Sequence, residues 1–235
     1  MQYIDDADFQ IRIDDDQGAN IASVVWREME FALPFRGSPL NYGWYGLSPW
    51  AGRIRDGLIT SPTTGEHQLP TNLMPPHAIH GFGLTSSWEE IGDGYFALDF
   101  PAPYSGARVE QRFEILDNAL RWSLDYEAHG CELPFWLGFH PWFALDHASQ
   151  VRFGPTSVWL QDERGWPTVK TSSSGLENFD FTEWRSAQTV IQNHCHSDWS
   201  GRADLHLHEK KLSIQLTASS NLNHLIVYRK PGQDW

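Results

Sequence analysis

Apolar and polar residues alternate with a period of two over much of this chain. Phe9 to Ile13 reads Phe-Gln-Ile-Arg-Ile, and residues 108–115, 120–126 and 212–216 continue the pattern. Such alternation is typical of antiparallel strands that bury one face. No window carries a long helical period. The best helical segment, Glu177 to Ser186, is short, and we read it as a loop.

Turn signals separate the alternating segments. Asp117-Asn118 joins two of them, and both residues tolerate a positive φ, so the sequence predicts a hairpin there. Gly92-Asp93-Gly94 and Glu209-Lys210 predict two more hairpins. Because no repeat or linker is visible, we expect one all-β domain over residues 1–235, built as a large antiparallel β-sandwich.

Charge and composition narrow the class of partner. The 235 residues carry a formal net charge of −13, which disfavours nucleic acid and anionic membranes as partners. No apolar run reaches the ~20 residues that a membrane helix needs. The two cysteines do not make a disulfide framework, and the N-terminus lacks a signal-peptide pattern, so we expect a cytoplasmic protein with a neutral small-molecule ligand.

The segment from Phe135 to Phe143 is the most informative stretch for function. It places His140 in a run that is otherwise aromatic, aliphatic, glycine and proline. Flat indole faces beside a polar group suit a sugar ring, which has apolar C–H faces and hydroxyl edges. The alternative is a core strand whose histidine bonds a buried partner.

Two earlier segments add further polar groups. Arg53 lies in a glycine- and proline-broken stretch from Trp44 to Gly57, and its rigid fork of donors can hold hydroxyl or ring oxygens. His80 lies between Ile79 and Gly81, where glycine permits a close approach. The alternatives are a structural ion pair for Arg53 and a plain loop histidine for His80.

The order of four motifs, PWAGRIRDG, HAIHGFG, LGFHPWFAL and VYRKPGQDW, resembles the aldose 1-epimerase (galactose mutarotase-like) family over about residues 25 to 235. The resemblance implies a galactose mutarotase-like β-sandwich that interconverts the α and β anomers of a free sugar without a metal or organic cofactor. It implies that Arg53 binds the substrate and that His80 contacts and polarises the sugar. It also implies that His140 is the general acid that protonates the ring oxygen.

The family's substrate-binding aspartate has no direct match. The equivalent position holds Asn193, and Asp198 is nearby but shifted. We expect both residues to bind sugar hydroxyls. Trp50 and Trp142 stand next to the motifs, and we expect their indoles to stack on the sugar.

A second departure concerns the base. In the family this is a glutamate in an F-C-x-E-P-like segment that follows P-x-G-x-D-F, and this chain ends at Trp235 within the first pattern. We therefore expect the last strands to be missing and the chain to be a weak mutarotase or none. The alternative is a non-catalytic carbohydrate-binding protein of the same fold, a monomer or a homodimer.

A third hypothesis is a metal-dependent enzyme. His194, His196 and Asp198 alternate, so on a strand they would point to one face. No further ligand is evident, so we expect no metal and read these histidines as surface or site-lining residues. Arg55, near Arg53, could meet a sugar phosphate or pair with Asp56.

Overall fold

The protein is described by a computed structural model covering residues 1–6, 8–187 and 193–229. These residues form 22 strands and one three-residue 3-10 helix, which confirms the all-β prediction. That helix, the only one in the described ranges, is far too short to cross a bilayer. The chain divides into two compact units, Met1–Ala144 and Leu145–Trp235. The single-domain assignment stays a prediction.

The first unit holds fourteen of the described strands and the 3-10 helix. They are β1 Gln2–Asp6, β2 Phe9–Asp14, β3 Asn20–Trp26, β4 Met29–Glu30, β5 Trp44–Leu47, β6 Arg53–Ile54, η1 Arg55–Gly57, β7 Leu58–Ser61, β8 Gly65–Gln68, β9 Ala78–Ile79, β10 Glu89–Gly92, β11 Tyr95–Asp99, β12 Arg108–Leu116, β13 Ala119–Glu127 and β14 Gly138–Pro141.

These strands make two main antiparallel sheets. The six-stranded sheet has the order β1-β2-β3-β5-β14, with β4 paired to β3, and the four-stranded sheet has the order β10-β11-β12-β13. Two short pairs, β6 with β9 and β7 with β8, stand apart from them. The short β6–β9 pair holds Arg53 and leads directly into His80, and the β5–β14 pair holds His140.

The core of the first unit lies between its two main sheets. Ile11 and Ile13 of β2 are fully buried, as the alternation predicts, and each contributes ~1.5–3 kcal/mol by leaving water. From the four-stranded sheet, the Gln111 amide donates to the Ala19 carbonyl oxygen at 2.9 Å. Trp122 meets Phe139 edge-on at 4.7 Å between ring centroids. Apolar packing and one buried amide therefore join the two layers.

The predicted hairpins are confirmed. Leu116 pairs with Ala119 across Asp117 and Asn118, whose φ angles of 51° and 63° are those of a type I′ turn. The hairpin of β10 and β11 closes with Gly92 opposite Tyr95. The predicted loop at residues 177–186 is also confirmed, since only its last two residues enter a strand.

The second unit contains two four-stranded sheets, with orders β18-β15-β20-β21 and β17-β16-β19-β22. The turn predicted at Glu209-Lys210 joins β20 to β21, with Leu207 opposite Leu212. The strands are β15 Gln150–Phe153, β16 Ser157–Gln161, β17 Pro167–Ser172, β18 Arg185–Ser186, β19 Cys195–Ser197, β20 Arg202–Leu207, β21 Leu212–Thr217 and β22 His224–Ile226.

Candidate functional site

His140 is held in place by an aromatic stack. It lies on β14 directly opposite Tyr45 of β5, and the two rings stack with centroids 4.7 Å apart and planes 22° from parallel. The Tyr45 hydroxyl donates to the Leu40 carbonyl oxygen at 3.1 Å and accepts from the Trp142 indole at 3.3 Å. Because Tyr45 is fully buried and bonded in this way, it fixes the plane of the imidazole.

The two nitrogens of His140 have different surroundings. Nδ1 is buried and has no hydrogen-bond partner among the described residues. Burial lowers the pKa of His140 to about 4, against an opposing contribution from its own backbone carbonyl. At pH 7 the ring is therefore neutral. With Nδ1 buried, Nε2 is the nitrogen that a ligand can reach.

His80 is fixed by two hydrogen bonds to one glycine. It directly follows β9, whose Ile79 stands opposite Arg53 of β6. The backbone N–H of His80 donates to the Gly52 carbonyl oxygen at 3.0 Å, and the Gly52 N–H donates to Nδ1 of His80 at 3.2 Å. Because Nδ1 accepts this bond, the neutral ring carries its proton on Nε2.

The backbone of His80 is unusual. Its φ of 61° lies in the left-handed region, which costs a residue with a Cβ ~1–2 kcal/mol. Strain of this kind is commonly found at functional sites, where the surrounding structure maintains it. Here the two bonds to Gly52 maintain it.

The rings of His80 and His140 meet edge to face, with centroids 5.4 Å apart and planes at 77°. Burial, and secondarily the charge of His140, holds the pKa of His80 well below its usual value. Because burial lowers both pKa values below 6.5 and repulsion disfavours a second charge, both rings are neutral at pH 7. The pair offers hydrogen-bonding and proton-exchanging nitrogens to a polar ligand.

Arg53 lies in the first unit, as the two histidines do. It lies at the start of β6, directly after the glycine that holds His80, and its side chain is partly buried. Its guanidinium presents a planar fork of hydrogen-bond donors. The structure thus brings Arg53, His80 and His140 into one region, while their chemical roles stay predictions.

Trp50 and Trp142 are more buried than stacking on a sugar allows. Trp50 is fully buried, against Phe82 and Tyr104, and Trp142 is 5% exposed. An indole covered on both faces offers no surface to a sugar, so this conformation gives both residues a supporting place behind the site. Their sugar-binding role stays a prediction that requires a change of conformation.

Trp136 has the exposure that those two lack. It is 40% exposed, and its indole N–H donates to the Ala51 carbonyl oxygen at 2.6 Å, beside the glycine that holds His80. The sequence placed Trp136 in the aromatic run before His140. It gave no sign of which indoles face outward, because the segment before β14 is irregular.

Asn193 and Asp198 lie in the second unit. Asn193 is exposed, and its backbone N–H donates to the Val227 carbonyl oxygen at 3.0 Å. Asp198 is also exposed and accepts from Lys170 at 2.6 Å and from Ser157 at 3.0 Å. The bond from Lys170 is the largest cause of its lowered pKa. Both residues have local partners, and their part in sugar binding stays a prediction.

The structure does not favour the metal hypothesis. His196 is 1% exposed and lies between Phe153 and Phe181, while Asp198 falls beyond the end of β19 and pairs with Lys170. These groups therefore do not converge on one point. Within the described ranges, the one set of three ligand-type side chains within 4.8 Å is Asp14, Asp15 and Asp16 near the N-terminus.

A family model described as aldose 1-epimerase matches residues 10–234, nearly the whole chain. The chain belongs to the aldose 1-epimerase family. This confirms the resemblance that the ordered motifs around Arg53, His80 and His140 had indicated.

Solved structures of family members share the fold. A protein of Escherichia coli K12, provisionally named aldose 1-epimerase, superposes with a TM-score of 0.77 at 21% identity, covering 91% of this chain and 75% of that one. A galactose mutarotase-like protein from Clostridium acetobutylicum gives 0.72 at 17%, covering 95% and 79%. Galactose 1-epimerase from Lactobacillus acidophilus NCFM gives 0.68 at 19%, covering 86% and 70%. These likenesses confirm the galactose mutarotase-like β-sandwich.

One curated relative is the uncharacterized protein YphB of Escherichia coli (strain K12). It is 26% identical over 165 residues, which are 68% of this chain. The chain spans about half of that relative, 56% of its length.

Proposed function

We propose that this chain binds the ring of a free aldose at Arg53, His80 and His140 and interconverts its α and β anomers. The observation that carries the proposal is the edge-to-face pair of neutral imidazoles, 5.4 Å apart, beside a partly buried guanidinium. Family membership supports it, as does the fold shared with galactose 1-epimerase from Lactobacillus acidophilus.

The reaction requires two proton movements. One proton leaves the anomeric hydroxyl while another reaches the ring oxygen, the C1–O bond of the ring breaks, and reclosure on the other face gives the other anomer. His140 donates to the ring oxygen through Nε2. Burial keeps most of these rings neutral at pH 7, so the proton comes from the minor protonated form, and the ring is neutral after giving it up.

The other groups hold the sugar. His80 presents its Nε2 proton to a substrate oxygen, because Gly52 already occupies Nδ1. Arg53 stabilises negative charge on the opening sugar. We assign no base among the described residues, so water accepts the anomeric proton and returns one when the ring recloses.

A cytoplasmic location and a sugar ligand complete the proposal. Cys131 and Cys195 are free thiols, as a reducing compartment would keep them. The formal charge of −13 supports a neutral ligand over a polyanion.

The test follows exchange between anomers by NMR for galactose, glucose and glucose 6-phosphate. It compares the wild type, His140→Asn and a version extended by an F-C-x-E-P-like segment. We expect weak acceleration over buffer with the wild type, a larger one with the extended protein, and loss of the acceleration in the His140 variant. His129→Asn is the matched control, because His129 is exposed and pairs with Glu127 at 2.7 Å instead of lying at the site.

Two outcomes would change the proposal. If the extended protein gives no acceleration for any aldose, the catalytic part is wrong. If calorimetry still detects sugar binding, a non-catalytic carbohydrate-binding protein replaces it. The neutrality of His140 is the observation that favours this second function, since a neutral ring is a weak proton donor. Absence of both binding and exchange would reject both functions.

A further inference from the structure

One peptide bond carries hydrogen bonds to two side chains of the site region. Its oxygen, on Ala51, accepts from the indole N–H of Trp136 at 2.6 Å. Its N–H, on Gly52, donates to Nδ1 of His80 at 3.2 Å. Trp136 and His80 are therefore connected through a single planar group.

The peptide between Ala51 and Gly52 is trans, so its C=O and N–H point in opposite directions. A donor at the oxygen polarises the peptide and makes its N–H a stronger donor. The bond from Trp136 thus strengthens the bond that fixes the tautomer of His80.

Trp136 also prevents the peptide from rotating. Gly52 has a φ of +77° and no atom within 4 Å of the place where a Cβ would lie, so the local chain offers little steric resistance. Trp136 is itself fixed, because its backbone N–H donates to the Pro49 carbonyl oxygen and its carbonyl oxygen accepts from the Ala51 N–H, both at 3.0 Å.

We propose that Trp136 is a positioning residue for His80: through the Ala51–Gly52 peptide it holds the ring in the tautomer that carries its proton on Nε2. The catalytic meaning of this arrangement rests on the proposed function. The arrangement itself can be measured without any sugar.

The first measurement uses the unliganded wild-type protein labelled with nitrogen-15. Long-range nitrogen–proton spectra report which ring nitrogen of His80 is protonated. We expect protonation at Nε2 and a coupling through the hydrogen bond between the Gly52 amide nitrogen and Nδ1. A wild-type protein with Nδ1 of His80 protonated, or without that coupling, would overturn the proposal.

The second measurement uses Trp136→Phe, which removes the indole N–H and keeps an aromatic ring. We expect His80 to populate the Nδ1-protonated tautomer measurably. Where exchange is catalysed, kcat should fall about three- to tenfold, the effect of one lost hydrogen bond, with KM little changed. Trp26→Phe is the matched control, because the Trp26 indole N–H bonds Asn118 at 3.1 Å instead of this peptide.

The outcomes for Trp136→Phe separate the positioning role of Trp136 from the proposed function. An unchanged His80 tautomer in a folded Trp136→Phe protein contradicts the positioning role, whatever the activity. A changed tautomer in a protein that binds no sugar keeps the positioning role and rejects the proposed function. If Trp136→Phe does not fold, the wild type decides, because absence of a coupling between the Trp136 indole nitrogen and the Ala51 carbonyl carbon contradicts the positioning role.

Discussion

Two histidines, one in each unit, have the same lowered pKa but different surroundings. His140 and His196 both have a pKa lowered to about 4 by burial, and both bury an Nδ1 without a partner among the described residues. His140 contacts Tyr45 and a second imidazole, that of His80. His196 is 1% exposed and lies between two phenylalanine rings.

The comparison shows that a lowered histidine pKa indicates burial. Solvent access and polar neighbours indicate whether the residue can take part in a reaction. His140 is partly exposed and stands beside groups that can bind or exchange protons. His196 has a shift of the same size in a pocket that a ligand does not reach. The predictions below test whether this division between a functional and a structural histidine is correct.

The largest expected difference is in catalysis. His140→Asn should lower catalysed anomer exchange of the extended protein by about 100-fold or more, the usual effect of losing a proton-transfer group. His196→Leu should leave the rate within about twofold, since His196 lies among apolar rings away from solvent. NMR exchange rates of the two variants test this difference. A large loss of exchange rate in His196→Leu would contradict the assignment of His196 as a structural histidine.

The next expected difference is in how the free energy of unfolding changes at acid pH. Both histidines fold as neutral rings, so the stability they confer is complete above their unfolded pKa of about 6.5 and is lost as pH falls toward 4. For the fully enclosed His196 the loss approaches about 3 kcal/mol, and it is smaller for His140, which is partly open to solvent. Urea unfolding between pH 7 and 4.5 measures it. A free energy of unfolding that stays constant over this range would contradict the assignment of both rings as neutral.

A third prediction concerns the cation beside His80. Arg53→Lys keeps the charge and loses the planar fork, so sugar binding should weaken about tenfold, as for one lost charged hydrogen bond. For a sugar without a phosphate, Arg55→Lys is the control, because the Arg55 side chain is exposed and lies only two residues away, in η1. Calorimetric titration with the best sugar from the exchange assay compares them. Equal losses would show that charge in this segment matters more than position.

The smallest effect is on stability at neutral pH. His196→Leu replaces a ring whose buried Nδ1 has no partner among the described residues by an apolar side chain of similar size, so the free energy of unfolding at pH 7 should rise by about 1 kcal/mol. The same variant should lose part of the acid sensitivity. Thermal or urea unfolding that shows a loss of stability would mean that His196 has a bonding partner after all.

The sequence predicted the regular parts of this fold because strand alternation and turn chemistry are local. Asp117 and Asn118 tolerate a positive φ, and the structure places both in that region between paired strands. Alternation also placed Ile11 and Ile13 in the core. Such features depend on residues that are close together along the chain, so the local sequence is enough to predict them.

The irregular parts of the site could not be predicted in the same way. The burial of Trp50 and the exposure of Trp136 depend on how non-adjacent loops pair, and no period records this. The bond from Gly52 to His80 joins residues 28 positions apart. His194 directly precedes β19 and His196 lies on it, and both rings lie near Phe179, but the φ of +55° at Asp198 turns the chain out of the strand pattern.

The buried Nδ1 of His140 restricts the path that a transferred proton can take. A ring with one nitrogen sealed off cannot pass a proton from one side of the site to the other, because the proton must return by the atom that released it. An isomerisation has no net proton uptake or release, so a donor that recovers its own proton each turnover is sufficient. A reaction that must export a proton would need a second route, and the geometry around Tyr45 closes that route on this ring.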